Sequence, residues 1–257
     1  MSANPRLTVA GSSSSVPRPD RACSSYLIQD GESSVVLDLG SGSLANLRRY
    51  ADYDRVGAIV ISHMHADHFL DLIPLRYALR YGSRQRKEKL AVYLPPGGLA
   101  TLNRLVSAFA DEGGEFLNDV FALREYDPSR PLALDGATLR FAPTAHFVPA
   151  FAIRWQRDGA SLTYSADTAP DENVTALARG CNLFLCEATL RLDEHEVGPR
   201  GHSTGLEAAV MAHDAGVGRL VLTHYGEEST AADLDAAART RYAGPIAVAD
   251  DHAVFEF

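Results

Sequence analysis

One short segment of this 257-residue chain constrains its fold and chemistry more than any other. It reads His63-Met64-His65-Ala66-Asp67-His68, which places three imidazoles and one carboxylate within six residues. Residues 56–62 before it form a short apolar run rich in β-branched side chains, which predicts a buried strand. Residues 69–81 after it carry apolar side chains at helical spacing, which predicts a helix. The segment is therefore expected at a turn from strand to helix, where several side chains can converge.

The spacing of these side chains suits metal binding. Side chains at positions i and i+2 of an extended peptide point the same way, so His63 and His65 can bind one cation. Asp67 and His68 follow after the chain has turned, and they can reach a second. Zinc takes imidazole and carboxylate ligands of this kind. The alternative is a polar loop without a metal, and three histidines with an aspartate make that the weaker interpretation.

Composition and charge favour a single α/β domain. The 257 residues are 46% hydrophobic, and no linker or low-complexity segment divides them, so we expect a single domain over residues 1–257. The net charge of −9 disfavours general nucleic-acid binding. The sequence has no run long enough to span a membrane, no visible secretory signal and no disulfide framework. We therefore expect a cytoplasmic protein without a membrane partner.

Two polar segments have less specific interpretations. Residues 84–89 form a basic run that could steer phosphate, although a solvated helix end and loop is the favoured interpretation. Residues 111–118 are polar and contain glycine, and they are predicted to form a loop.

A faint internal repeat predicts two similar halves. Residues 56–63 are echoed by residues 217–224, because both are apolar strand-like runs that end in a hydroxyl residue and then a histidine, His63 or His224. A predicted helix follows each copy within a few residues. Two further candidate ligands, His146 and Asp167, also fall beside predicted strand ends. Periodicity alone predicts one mixed α/β domain.

The cluster at residues 63–68 after an apolar strand resembles the metallo-β-lactamase superfamily, and the rest of the chain supplies the superfamily's other ligands in order. The resemblance implies an αββα sandwich, in which two β-sheets pack face to face between outer helices. It also implies two divalent cations, zinc or alternatively manganese, bridged by Asp167 and by a water or hydroxide. The implied ligands of the first cation are His63, His65, His146 and Asp167. The implied ligands of the second are Asp67, His68, His224 and Asp167.

Two more motifs resemble the ribonuclease Z-like phosphodiesterases of this superfamily. Leu185-Cys186-Glu187-Ala188-Thr189 closes a predicted strand, and Gly201-His202-Ser203-Thr204 opens a predicted helix. The resemblance implies that His202 protonates the leaving oxygen, that Glu187 orients His202, and that Asp67 orients the hydroxide. This is sound acid chemistry, because a carboxylate raises the pKa of a histidine. The alternative is that Glu187 and His202 are unrelated polar loop residues.

Asp38, at the end of a predicted buried strand, also has two interpretations. It could cap a helix, or it could accept a hydrogen bond from a metal-bound histidine. The resemblance favours the second role.

Departures from ribonuclease Z shape the expected substrate. That family carries a long arm for transfer RNA between the third ligand and the bridging aspartate, whereas only one predicted hairpin separates His146 from Asp167 here. We therefore expect a phosphodiesterase for small phosphodiesters, cyclic nucleotides among them. Large RNA is not expected as a partner, and a homodimer is left open. The alternatives are a lactone, thioester or ester hydrolase on the same metals, a transfer RNA 3′-processing endonuclease and, as the weakest, a non-catalytic binding module.

Overall fold

The computed structural model describes residues 4–84, 86–110, 115–194 and 196–257. The strands are β1 (Arg6–Gly11), β2 (Ser25–Asp30), β3 (Ser33–Leu37), β4 (Ala58–Val60), β5 (Leu90–Leu94), β6 (Phe121–Glu125), β7 (Leu132–Leu134), β8 (Ala137–Pro143), β9 (Phe151–Arg157), β10 (Ala160–Tyr164), β11 (Leu183–Glu187), β12 (Leu220–Thr223), β13 (Ile246–Val248) and β14 (Val254–Glu256). The helices are α1 (Ser43–Leu47), α2 (Ala66–Phe69), α3 (Leu72–Tyr81), α4 (Gly98–Val106), α5 (Glu115–Asn118), α6 (Glu172–Ala178), α7 (Gly205–Ala215) and α8 (Ala231–Arg239). None of these helices has the length and apolar character needed to cross a membrane.

The strands assemble into two seven-stranded sheets over the described ranges. The order in the first sheet is β14-β1-β2-β3-β4-β5-β6, and in the second it is β13-β12-β11-β10-β9-β8-β7. Strands β3 to β6 run parallel in the first sheet, as do β10 to β13 in the second. The predicted hairpins β2–β3 and β9–β10 are antiparallel pairs, which confirms them.

Three apolar layers define a sandwich. The central layer lies between the sheets and includes the fully buried rings of Tyr26 on β2 and Trp155 on β9. A second layer packs α1, α3, α4 and α5 on the outer face of the first sheet. A third packs α6, α7 and α8 on the outer face of the second sheet. The expected αββα arrangement is therefore confirmed.

The helix predicted after the cluster is interrupted. It forms as α2 and α3, with Leu70 and Asp71 between them. The Asp71 carboxylate accepts a hydrogen bond from the backbone N–H of Leu44 at 2.9 Å, at the start of α1. Apolar spacing alone does not reveal this break, because its cause is a contact with a segment that lies 27 residues away in the chain.

The loop prediction for residues 111–118 is wrong at its second half. Residues 115–118 form α5, because Phe116 and Leu117 are buried in the outer layer of the first sheet. Residues 111–114 lie outside the described residues. Strands β7 and β13 were not predicted either, since each has three residues at a sheet edge, too few to show a period.

The basic run has a structural role in this fold. Arg86 donates hydrogen bonds to the backbone carbonyls of Asp54 and Val56 at 2.8 and 2.7 Å, and Arg84 pairs with Asp52. These contacts support the interpretation of the run as a loop that is packed on the chain rather than a free phosphate patch. Gln85, within the run, lies outside the described residues.

The carboxyl ends of the parallel strands meet at one edge of the sandwich, and the chain turns sharply there. Asp38 after β3, Ala166 after β10 and His224 after β12 have φ angles of 57°, 53° and 53°. This left-handed conformation costs a non-glycine residue roughly 1–2 kcal/mol, and such strain is typical of functional sites. At the same edge, the Phe151 N–H donates to the Ser62 carbonyl at 3.2 Å and joins the two sheets.

Candidate metal centre

The seven predicted ligands converge at this edge in two sets, and within each set the ligand atoms lie within 4.8 Å of one another. The first set comprises His63, His65, His146 and Asp167. The second comprises Asp67, His68, Asp167 and His224. The structure thus brings together every ligand that the resemblance implies, divided in the way the resemblance implies.

Asp167 is shared between the two sets, with one oxygen for each. Its Oδ2 lies 3.6 Å from His63 Nε2 and 3.8 Å from His146 Nε2. Its Oδ1 lies 3.3 Å from His68 Nε2 and 3.5 Å from His224 Nε2. Two ligands of a tetrahedral zinc ion, each about 2.1 Å from the metal, are about 3.4 Å apart. The spacings are therefore those of atoms that share an ion.

Three of these ligand atoms are buried with no hydrogen-bond partner among the described residues: His63 Nε2, His68 Nε2 and Asp167 Oδ1. Their side chains are 0 to 3% exposed. An unpaired buried polar atom costs about 1–3 kcal/mol. A cation in the first set would satisfy His63 Nε2, and one in the second would satisfy His68 Nε2 and Asp167 Oδ1, so the donor sets fit metal ions.

Hydrogen bonds outside the cluster hold the imidazoles in place. In four of the imidazoles, Nδ1 makes a hydrogen bond, which fixes the tautomer and leaves Nε2 free to face the other candidate ligands. The partners are Ser62 Oγ for His63 at 3.0 Å, Asp38 Oδ2 for His68 at 2.7 Å, the Gly201 carbonyl for His146 at 2.8 Å and Thr189 Oγ1 for His224 at 2.9 Å. No motif in the sequence predicts these contacts of Gly201 and Thr189 with candidate ligands.

The contacts of Asp38 favour the second of its two interpretations, in which it accepts a hydrogen bond from a candidate ligand. Its fully buried carboxylate accepts hydrogen bonds from the Ser62 N–H, Ser62 Oγ and His68 Nδ1, each at 2.7 Å, and from the Tyr164 hydroxyl at 2.9 Å. The residue that precedes α1 is Gly42, so Asp38 does not cap that helix. Asp38 therefore orients His68.

Burial sets the protonation of the first ligand set. It lowers the pKa of His63 well below the usual value, and His68 adds to the effect. It also lowers the pKa values of His65 and His146. Burial would raise the pKa of Asp167, but the neighbouring histidines hold it well below its usual range. Neutral imidazoles and an ionised carboxylate are the forms that bind a cation.

The second set is more negative. Burial would raise the pKa of Asp67, but His68 and His224 hold it well below its usual range. Burial would lower the pKa of His68, but Asp167 and Asp38 raise it well above the usual value. A cation that binds to His68 must therefore displace a proton, as metal binding to histidine generally does.

His202 and Glu187 are in contact beside the two ligand sets. His202 Nδ1 donates to Glu187 Oε1 at 3.0 Å. Burial would lower the pKa of His202, but the Glu187 carboxylate raises it to about 9. The other carboxylate oxygen accepts from Thr189 Oγ1 at 2.7 Å, and Thr189 also contacts His224. Glu187 therefore connects His202 to the second ligand set.

Side chains that no sequence motif marks hold the His202 loop. Glu196 Oε2 accepts the backbone N–H groups of Gly201 and His202 at 2.7 and 3.1 Å. Arg200 makes two 2.8 Å hydrogen bonds with Glu207 on α7 and donates to the His202 carbonyl at 3.1 Å. These contacts lie within an irregular loop, where no helical or strand period marks the residues that meet.

Comparisons with known proteins agree with this geometry. The family described as the beta-lactamase superfamily domain matches residues 33–225. An uncharacterized protein of Mycobacterium tuberculosis is 36% identical over 246 residues, which cover 94% of this chain and 88% of the relative. Ribonuclease Z of Mycobacterium bovis is 29% identical over 273 aligned residues, which cover 95% of each chain.

A solved structure matches along nearly the whole chain. The crystal structure of the metallo-beta-lactamase fold protein YhfI from Bacillus subtilis is 26% identical, with a TM-score of 0.89 over 99% of this chain and 100% of that one. In sequence, YhfI bears the name of a probable metallo-hydrolase and is 28% identical over 253 residues, 98% of this chain and 99% of the relative. The chain therefore belongs to the β-lactamase superfamily of metallo-hydrolases, alongside YhfI and ribonuclease Z.

Proposed function

We propose that this chain is a dinuclear metal-dependent phosphodiesterase that acts on small phosphodiesters. The observation that carries the proposal is the His202–Glu187 pair beside the two ligand sets. The His202 ring centroid lies 5.0 Å from that of His146 and 5.9 Å from that of His224, one ligand from each set. Phosphodiester cleavage requires neutralised phosphoryl oxygens and a proton for the leaving alkoxide. Cations in the two ligand sets would neutralise the phosphoryl oxygens, and the His202–Glu187 pair would supply the proton.

Zinc is the proposed metal, because the two sets together offer five histidines and two aspartates. Manganese is also compatible with the carboxylates. One cation would be held by His63, His65, His146 and Asp167, and the other by Asp67, His68, His224 and Asp167. Two divalent cations held there would lower the pKa of a bound water and stabilise charge on the group under attack.

The side chains supply the proton transfers. Asp67 retains 12% exposure, so its carboxylate can orient the attacking water. Protonated His202, whose Nδ1–H is bound to Glu187, presents Nε2–H to the leaving oxygen. Glu187 fixes this orientation and stabilises the imidazolium until the proton is transferred.

The span between His146 and Asp167 supports small substrates. It contains the hairpin of β9 and β10, and both strands lie within the second sheet. No projecting arm is built from these described residues. The relative named ribonuclease Z acts, by its name, on RNA, whereas this chain has a net charge of −9 and builds no anchoring arm from the residues between His146 and Asp167. We also infer a reducing cytoplasmic location, since Cys23, Cys181 and Cys186 are buried and unpaired.

A substrate panel tests the proposed function. Metal-loaded protein should hydrolyse bis-p-nitrophenyl phosphate and small linear or cyclic phosphodiesters, measured by product release. Precursor transfer RNA should be cut poorly and β-lactams left intact. Strong lactone or thioester hydrolysis, with no phosphodiesterase activity in zinc or manganese, would replace the proposal with the carboxylic-ester alternative.

Metal content tests the ligand assignment. Elemental analysis of protein purified without chelator should give about two divalent ions per chain, and His63→Ala should lower that number. His213→Ala is the matched control, because His213 lies on α7 with a side chain that is 69% exposed. Metal content that is equal in the two variants would contradict the assignment.

The role of His202 is tested with leaving groups of different basicity. His202→Ala should lower kcat by about two to four orders of magnitude on an alkyl phosphodiester. The defect should shrink with p-nitrophenolate, which leaves without a proton, and the metal content should be unchanged. Equal defects on good and poor leaving groups would show that His202 binds substrate rather than donating a proton.

The pH dependence of kcat/KM tests the role of Glu187. His202 must be protonated to act as an acid, so activity should fall as pH rises through its pKa. Glu187→Gln removes the carboxylate that raises this pKa, so the alkaline limb should move to lower pH. Bound cations lower the pKa in both proteins, so the informative quantity is the difference between them. An unchanged alkaline limb would exclude the pair as the titrating unit.

A further inference from the structure

One aromatic side chain at the centre has no role in the proposed mechanism. Phe147 directly follows the ligand His146, yet it is 54% exposed. Its ring centroid lies 5.1 Å from that of His146 and 5.9 Å from that of His202. Phe147 is therefore beside both the first ligand set and the proposed proton donor.

The Phe147 ring is held in place from one side. A Cβ atom at Gly201 would lie only 2.3 Å from Phe147 Cε2, so the ring packs directly on the Gly201 backbone. The same Gly201 backbone is fixed by Glu196, which accepts its N–H, and by His146, which donates to its carbonyl. The ring is thus supported by a hydrogen-bonded peptide, while Phe147 remains 54% exposed to solvent.

Apart from its contact with Gly201, the Phe147 ring is not part of the apolar packing of the fold. Among the described residues, the aromatic neighbours of Phe147 are only His146 and His202, and Phe147 is absent from the three apolar layers of the fold. Exposed aromatic rings bind nucleobases by stacking, because every base has a π face. A base attached to the alcohol that His202 protonates would be close to this ring.

We propose that Phe147 is the stacking platform for the base of a nucleoside phosphodiester whose leaving alcohol faces His202. This inference rests on the proposed phosphodiesterase function and narrows its substrate class to nucleoside phosphodiesters. Phe147 acts as a specificity residue, since it contacts the base and takes no part in the proton transfers.

The test compares two cyclic phosphates that differ only in the base. One is adenosine 3′,5′-cyclic phosphate, and the other carries a methoxy group in place of adenine. Phe147→Leu should lower kcat/KM for the adenosine compound about tenfold to a hundredfold, mainly through KM. It should leave kcat/KM for the methoxy compound unchanged, and Phe147→Trp should preserve both. Phe109→Leu is the matched control, because Phe109 is also half-exposed but packs against Phe116 of α5.

A binding measurement adds a readout that does not depend on turnover. Calorimetry on the metal-loaded protein should show that Phe147→Leu weakens the binding of adenosine 5′-monophosphate and leaves the binding of ribose 5-phosphate unchanged. Equal losses on compounds with and without a base would show that the ring only supports the His202 loop, which would overturn this inference and leave the proposed function intact. Failure of the unaltered protein to hydrolyse any phosphodiester would overturn the proposed function, and this inference with it.

Discussion

The arrangement of the candidate ligands depends on the hydrogen bonds of the buried Asp38 carboxylate. A carboxylate that leaves water loses several kcal/mol of solvation, and it is tolerated only where hydrogen bonds replace that solvation. Four donors do so here, and they come from Ser62, His68 and Tyr164. Ser62 and His68 belong to the half of the chain that forms the first sheet, whereas Tyr164 ends β10 in the second. One side chain thus fixes a ligand and joins the two sheets.

The seven candidate ligands likewise come together only where the two sheets meet. His63, Asp67 and His68 follow the first sheet's β4, while Asp167 and His224 follow strands of the second. Neither half holds a complete set, because Asp167 contributes an oxygen to each. The two sheets must therefore close on each other before the cluster exists. Residues at three strand ends adopt the left-handed conformation, and this conformational strain is the local free-energy cost of bringing these side chains to one edge.

Two chains of contacts link the candidate ligands to His202. Glu187 bonds His202 directly and reaches His224 through Thr189. Glu196 holds the Gly201 peptide, whose carbonyl accepts from His146. The proposed proton donor is therefore tied to one candidate ligand from each set, so its position relative to the two sets is fixed by hydrogen bonds. Such support is what precise proton transfer requires.

The sequence by itself determined the identity of the candidate ligands: six residues carry four of them, and the resemblance supplied the other three, which closely follow strands. It also determined the long strands and the sandwich class, the latter through resemblance. Only the tertiary structure decided the pairing of His202 with Glu187, the role of Asp38, and the presence of α5, β7 and β13. The positions of Phe147 and Glu196 beside His202 are likewise visible only in the folded chain. The reason is physical: a period along the chain reports which face of an element is buried, whereas contacts between loops depend on how distant elements pack.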